Sequence, residues 1–259
     1  MYQKRNITVA KAFATTVAKH RSKTCLIFED TSWSFQDLED YSNRVGNYFL
    51  ELGYKVRRYI LVRRKKRSNL TYLILSLSKN QITTMGLFNS FQPGDCVALF
   101  MENRPEYIGL WLGLSKVGVV PALINTNLQG QPLIHSIKAA SATGLIFGVE
   151  LEQAVYGVTN MLSNVDLYKS GLSKNGLNYF APEKRIVDLD KMLRTSSANS
   201  VPESIQNQLN FTDKMLYIYT SGTTGLPKAA VIKHSRYCLF INHSVYPSIE
   251  VFSEARYKT

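Results

Sequence analysis

The sequence predicts an α/β fold, a parallel-rich sheet with helices packed on its faces. Three observations carry this. Strand-like and helix-like segments alternate over residues 93–147, the pattern of repeated β-α-β units. Two helices are marked by capping residues followed by apolar side chains at three- and four-residue spacing. Of the 259 residues 45% are apolar, enough for a core, and no apolar run reaches the 18 or more residues of a bilayer span.

Residues 8–20 read as an amphipathic helix leading into a strand over 25–28. That strand and a second over 33–35 flank the turn Glu29, Asp30, Thr31 and Ser32, a hairpin. Ser34 with Asp37 three positions on makes a capping-box start. Leu38, Tyr41, Val45, Phe49 and Leu52 then share a helical face, and Gly53 fits the stop. Pro93, Gly94 and Asp95 turn the chain into a strand over 96–100. Asn103 is the expected cap of the next helix, with Glu106 at its third position. Tyr107, Leu110, Trp111, Leu114 and Val117 line that helix, and Gly118 ends it. A buried strand over 119–125, a helix over 133–140 and a strand over 145–147 follow. Residues 163–201 are polar and weakly patterned, and read as a surface connection between two sub-sheets. A short helix over 202–209 precedes two β-favouring runs, 215–219 and 229–232. The periodic aliphatic and aromatic positions are core.

The formal net charge of +12 at first suggests nucleic acid or anionic lipid. Nine of the positive charges, however, fall between Glu51 and Asp95, where there is no acid at all. The basicity belongs to one segment, and no aromatics interleave on a basic face, so nucleic acid is not an expected partner. Cys25, Cys96 and Cys238 are odd in number and far apart, without a C-x-x-C pair. Reduced thiols and no metal site are expected.

Between the two β-favouring runs lies Tyr219, Thr220, Ser221, Gly222, Thr223, Thr224, Gly225, Leu226, Pro227, Lys228. Glycines allow close approach of backbone to ligand, hydroxyls donate without bulk, and the lysine brings a cation. Strand, polar glycine-rich loop and strand can wrap N–H groups around phosphate oxygens. The spacing is neither a Walker A loop nor a dinucleotide fingerprint.

This string resembles the signature loop of the adenylate-forming superfamily, which includes acyl-CoA synthetases, luciferases and peptide-synthetase adenylation domains. Most members follow the lysine with glycine, whereas this chain has Ala229 and Ala230. That variant, with the text from Glu102 to Gly118 and from Pro121 to Leu128, is similar to the fatty acid transport protein/very-long-chain acyl-CoA synthetase branch. The resemblance runs over residues 8–54 and 93–237. It implies the N-terminal part of an adenylate-forming domain, spread over residues 1–55 and 93–237, without the small C-terminal domain. The implied activity is ATP-dependent ligation of a long-chain or very-long-chain fatty acid to coenzyme A. The carboxylate attacks the α-phosphate of Mg2+-bound ATP, and the thiol then displaces AMP from the acyl-adenylate. The ten residues Tyr219 to Lys228 would hold the β- and γ-phosphates. Trapping the acid as a thioester would drive fatty acid uptake. The resemblance also implies an intracellular, membrane-associated protein, at the endoplasmic reticulum, peroxisome or plasma membrane.

The family's adenine-binding aromatics, Mg2+-binding glutamate, ribose motif, hinge and catalytic lysine have no matching positions here. A fragment inactive by itself is therefore expected, with its catalytic residues outside this chain. His234 matches a histidine often found after the loop, and a lone histidine of this kind reads as structural.

Two segments fall outside the resemblance. Residues 56–92 follow Lys55 as a polybasic stretch and a short apolar run. Three readings compete: a surface for anionic membranes through residues 55–67, a solvated charge block, and a translated intron. The intron is preferred. Lys55, Val56 and Arg57 can be encoded with a GT donor after Lys55, and Phe91 and Gln92 with a CAG acceptor before Pro93. Residues 238–259 form a divergent tail.

Overall fold

The computed structural model describes residues 6–52, 95–171, 186–220 and 226–237. The stretch 56–92, the tail 238–259 and the loop centre Ser221, Gly222, Thr223, Thr224 and Gly225 lie outside the described residues.

Helix α1, Val9–His20, begins at Thr8, whose hydroxyl accepts from the Lys11 N–H, and buries Val9, Ala10, Phe13 and Val17. Strands β1, Thr24–Phe28, and β2, Thr31–Ser34, form the expected antiparallel hairpin. Its turn is two residues shorter than the sequence suggests. Glu29 takes a left-handed φ of 49°, and Thr31 already pairs with Phe28. Helix α2, Phe35–Glu51, starts on the complete capping box. The Asp37 N–H donates to Ser34 Oγ at 3.1 Å, and the Ser34 N–H to Asp37 Oδ2 at 2.8 Å. These bonds to Ser34 hold the Asp37 carboxyl below its usual range.

Strand β3, Cys96–Phe100, is buried at every residue, as a central parallel strand must be. Helix α3, Pro105–Lys116, departs from expectation at its start. Pro105 occupies the first turn, which makes Arg104 the cap and leaves Asn103 outside, with no side-chain cap bond. Its end is as read, with Gly118 at a φ of 76°. Strand β4 is Val120–Leu123, α4 is Gly130–Ala139 and β5 is Ala142–Gly148. A short α5, Glu152–Tyr156, follows.

Residues 163–201 are not merely a surface connection. They contain β6, Asp166–Ser170, β7, Ile186–Asp188, and α6, Leu189–Thr195, with Asp188 capping α6 at 3.0 Å. Leu167, Tyr168 and Leu189 are fully buried. So short a buried strand, flanked by polar residues, offers no period to detect. Helix α7, Glu203–Gln206, leads to β8, Lys214–Thr220, and β9, Lys228–Lys233.

The seven strands run in the order β7-β6-β5-β3-β4-β8-β9, parallel except for the β8–β9 pair. On one face Val97, Leu99, Ile146 and Tyr168 meet α2, α3 and α6 through Val45, Phe49, Leu110, Leu114 and Leu193. On the other, Ala98, Phe100, Leu145, Phe147 and Leu167 meet Leu133, Ile137 and Val155 of α4 and α5.

Helices α2 and α3 approach closely because glycines line their contact. A Cβ on Gly109 would overlap the Tyr41 ring. One on Gly113 would stand 2.5 Å from the Ser42 carbonyl oxygen and 2.6 Å from Val45 Cβ. Beside this seam Lys116, only 2% exposed, lies 2.9 Å from Glu39 Oε1 and donates to Asn43 Oδ1 at 2.7 Å. Burial lowers the Lys116 pKa, and Glu39 opposes the shift. Removing one partner of such a pair would leave the other as an uncompensated buried charge.

Gly113→Ala is expected to destabilise the chain by about 1–3 kcal/mol in urea unfolding, because the obstacle is backbone. Gly157→Ala, whose Cβ would meet nothing closer than 3.6 Å, is expected to be neutral or slightly stabilising.

Candidate functional site

The candidate residues sit where β8 turns into β9. Strand β8 joins the sheet through two parallel pairs with β4, Ala122 with Tyr217 and Leu123 with Ile218. The β8–β9 ladder then runs antiparallel to its last pair, Thr220 opposite Lys228. Both of these residues are exposed, so a hydroxyl and an ammonium face solvent at the turn end of the hairpin. Leu226 is also exposed and Pro227 half-buried. Of the ten candidates, Tyr219, Thr220, Leu226, Pro227 and Lys228 are described, and the five between Thr220 and Leu226 are not.

Helix α4 holds both sides of this turn. The Tyr219 hydroxyl donates to the Ser136 carbonyl at 2.6 Å. Burial, first of all, pushes the Tyr219 phenol above its usual range, so it remains a donor. One residue away on α4, His135 Nε2 lies 3.1 Å from the Pro227 carbonyl. A carbonyl can only accept, so Nε2 carries the proton. His135 falls inside the helix read over 133–140, but its role was not legible. Its partner is 92 residues away.

Because β4 and β8 are parallel neighbours, the carboxyl end of β4 shares this rim. There Asn125 and Asn127 are exposed, and the Asn127 N–H donates to Asn125 Oδ1 at 2.9 Å. Open α/β sheets take ligands at the carboxyl ends of their strands.

The same edge has a second crevice, between β3 and β5, which the chain fills itself. Arg104 Nη2 donates to Ser170 Oγ at 2.9 Å, and Ser170 donates on to Asp190 Oδ1 at 2.9 Å. Asp190 Oδ2 accepts the Gly171 N–H at 2.7 Å, and Glu150 Oε1 accepts the Glu102 N–H at 2.9 Å. Gly148 has no Cβ to collide with the Glu150 carboxylate. Gly171, at a φ of 106°, has none to crowd Arg104.

His234, expected to be structural, is enclosed by protein. It is 1% exposed, and its Nδ1 accepts the Val9 N–H at 3.3 Å. The His234 backbone N–H donates to the Asp213 carbonyl at 3.2 Å. Burial lowers its pKa to about 4. Burial raises the thiols of Cys25 and Cys96 to about 11 and about 12, which keeps them protonated and unreactive. No group of three or more His, Cys, Asp or Glu able to hold a metal occurs among the described residues. The described rim therefore offers a cation and a hydroxyl on a braced hairpin.

Residues 83–256 match the model of the AMP-binding enzyme family. The chain belongs to that family. Among AMP-binding relatives it is 35% identical over 232 residues to long-chain fatty acid transport protein 1 of Rattus norvegicus, a match covering 89% of this chain and 29% of the relative. With long-chain fatty acid transport protein 2 of the same animal it shares 39% over 175 residues, covering 64% and 26%. The chain thus spans under a third of the length of these curated relatives. The AMP-binding fold itself is shared with an anthranilate CoA ligase solved with anthranoyl-AMP. The TM-score is 0.67 at 19% identity, covering 92% of this chain and 36% of that one. A fatty acyl CoA synthetase of Mycobacterium tuberculosis gives 0.56 at 16%, covering 90% and 35%.

The His234 geometry sets a pH dependence. Its folded pKa lies below the ordinary value near 6.5, so only the unfolded chain takes up the proton between pH 6.5 and about 4. Its contribution to stability is expected to be full above pH 6.5. It should fall by up to about 1.4 kcal/mol per pH unit across that window and level off below it. Urea unfolding against pH, compared with His234→Gln, checks this. The variant should lose this part of the slope.

Proposed function

We propose that this chain carries the phosphate-holding part of an ATP-dependent ligase that joins long-chain or very-long-chain fatty acids to coenzyme A. The observation that carries the reading is the hairpin end at Thr220 and Lys228, braced by α4 at the strand edge where such sheets take ligands. Sequence similarity to long-chain fatty acid transport proteins supports a fatty acid as the acid activated.

In this reading the residues Tyr219 to Lys228 grip the β- and γ-phosphates of ATP. Lys228 offsets their charge while the fatty carboxylate attacks the α-phosphate and pyrophosphate departs. The Thr220 hydroxyl donates to a phosphate oxygen. Positioning and charge neutralisation dominate this chemistry, and no residue here forms a covalent bond to substrate. Mg2+ accompanies the phosphates of ATP, and coenzyme A supplies the thiol that displaces AMP. Neither is given a ligand among the described residues.

Binding of Mg-ATP to the purified chain tests the reading. Lys228→Ala is expected to weaken ATP about tenfold or more, the worth of one charge-assisted contact, and to change AMP affinity far less. Equal ATP affinity in both proteins overturns it. ATP–pyrophosphate exchange stimulated by a long-chain acid would show that the chain is active by itself, against the expectation of an inactive piece.

A second reading rests on the nine positive charges between Glu51 and Asp95. The block 55–67 would dock on anionic lipid at roughly 1 kcal/mol per Lys or Arg near the surface. Among the described residues no helix is long and apolar enough to cross a membrane. Binding to vesicles containing phosphatidylserine is expected to vanish on deleting residues 56–92. Binding that survives the deletion excludes this mechanism.

A further inference from the structure

We propose that His135 is a positioning residue for the phosphates of ATP, acting through the peptide that joins Pro227 to Lys228. The inference rests on the phosphate-binding reading above and adds a residue 92 positions before Pro227.

The Pro227 carbonyl belongs to the same rigid peptide plane as the Lys228 N–H. A donor fixed on that oxygen orients the plane and so sets the direction in which Lys228 leaves the backbone. His135 Nε2, 3.1 Å away, is that donor. Proline contributes by holding its own φ near −65°, which leaves ψ as the freedom the histidine removes. On the opposite strand the Tyr219 hydroxyl, 2.6 Å from the Ser136 carbonyl, anchors the residue before Thr220. Two consecutive residues of one helix thus set the spacing and twist of the hairpin end from both sides. Helix α4 is itself seated by Leu133, Ile134 and Ile137, all buried against the sheet, so the frame does not move with the hairpin.

The arrangement has a purpose that packing alone would not require. Among the described residues the edge strand β9 is held in the sheet through β8 alone, and β8 itself by two pairs with β4. A lysine on such a strand would otherwise sample many directions, and ordering it on ligand binding would cost affinity. His135 removes that cost in advance.

The test compares His135→Leu, which fills the space without a donor, with His135→Gln, whose amide nitrogen can take the place of Nε2. Each purified 259-residue chain is titrated with Mg-ATP and, separately, with AMP, and its thermal unfolding is recorded. His135→Leu is expected to weaken ATP about three- to tenfold, the worth of one neutral hydrogen bond, with AMP changed less than twofold. Amide exchange in a peptide covering residues 226–229 should quicken in the same variant. His135→Gln is expected to recover most of both losses. A merely structural role would lower ATP and AMP affinity together, in step with stability, and that result overturns the proposal. Unchanged ATP affinity in His135→Leu also overturns it while leaving the phosphate-binding reading intact. Absence of ATP binding in the wild type overturns both.

Discussion

The hairpin that carries the candidate site is joined to the rest of the sheet by two parallel pairs, Ala122 with Tyr217 and Leu123 with Ile218. Parallel ladders are the weaker kind per residue, and two pairs are few. What fixes the hairpin therefore comes from outside the sheet. On one face α4 supplies His135 and the Ser136 carbonyl. On the other, α1 packs Val9 against Phe211, Met215 and Leu216, and the Val9 N–H reaches His234 just past β9. The core on β3, β5 and β6 is the footing for α4, and α2 and α3 are the footing for α1.

The filled crevice beside β3 and β5 belongs to the same design. An open sheet of this kind presents more than one gap at its carboxyl edge. Arg104, Ser170, Asp190 and Glu150 close one of them with charge-assisted bonds, and Gly148 and Gly171 leave the room those side chains need. The open part of the rim is then the side bounded by β4 and β8, where Asn125, Asn127, Thr220 and Lys228 face water.

How much of this was legible in the sequence follows the range of each interaction. The Ser34 and Asp37 capping box spans three residues and was read correctly, as was the stop at Gly118. The all-apolar strand Cys96–Phe100 matched residue for residue. The cap at Asn103 failed because Pro105, two positions on, takes the first helical turn. Strand Asp166–Ser170 was lost because burial on both faces, with few apolar residues, leaves no alternation. At the site, the turn from Tyr219 to Lys228 was visible as a string of residue types. The bonds that brace it were not, since a histidine inside a helix looks the same whether it meets solvent or a carbonyl 92 residues away. His234 was separated from catalysis by base rate alone, and its burial supplies the physical reason.

The link between Val9 and His234 spans 225 residues, and Asn6 reaches Leu209 and Phe211 across 203 and 205. Closing loops of that length is slow, because chain entropy is lost before any contact repays it. A nascent chain emerging from the ribosome could assemble β3, α3, β4, α4 and β5 from near neighbours while the start of α1 still waits. Until β8 and β9 arrive, Val9 lacks Phe211, Met215 and Leu216, its partners in the core. Phe13 and Val17 of the same helix can settle earlier on Phe35, Leu38 and Leu112, so during synthesis α1 docks in two stages, its far end first and its start last.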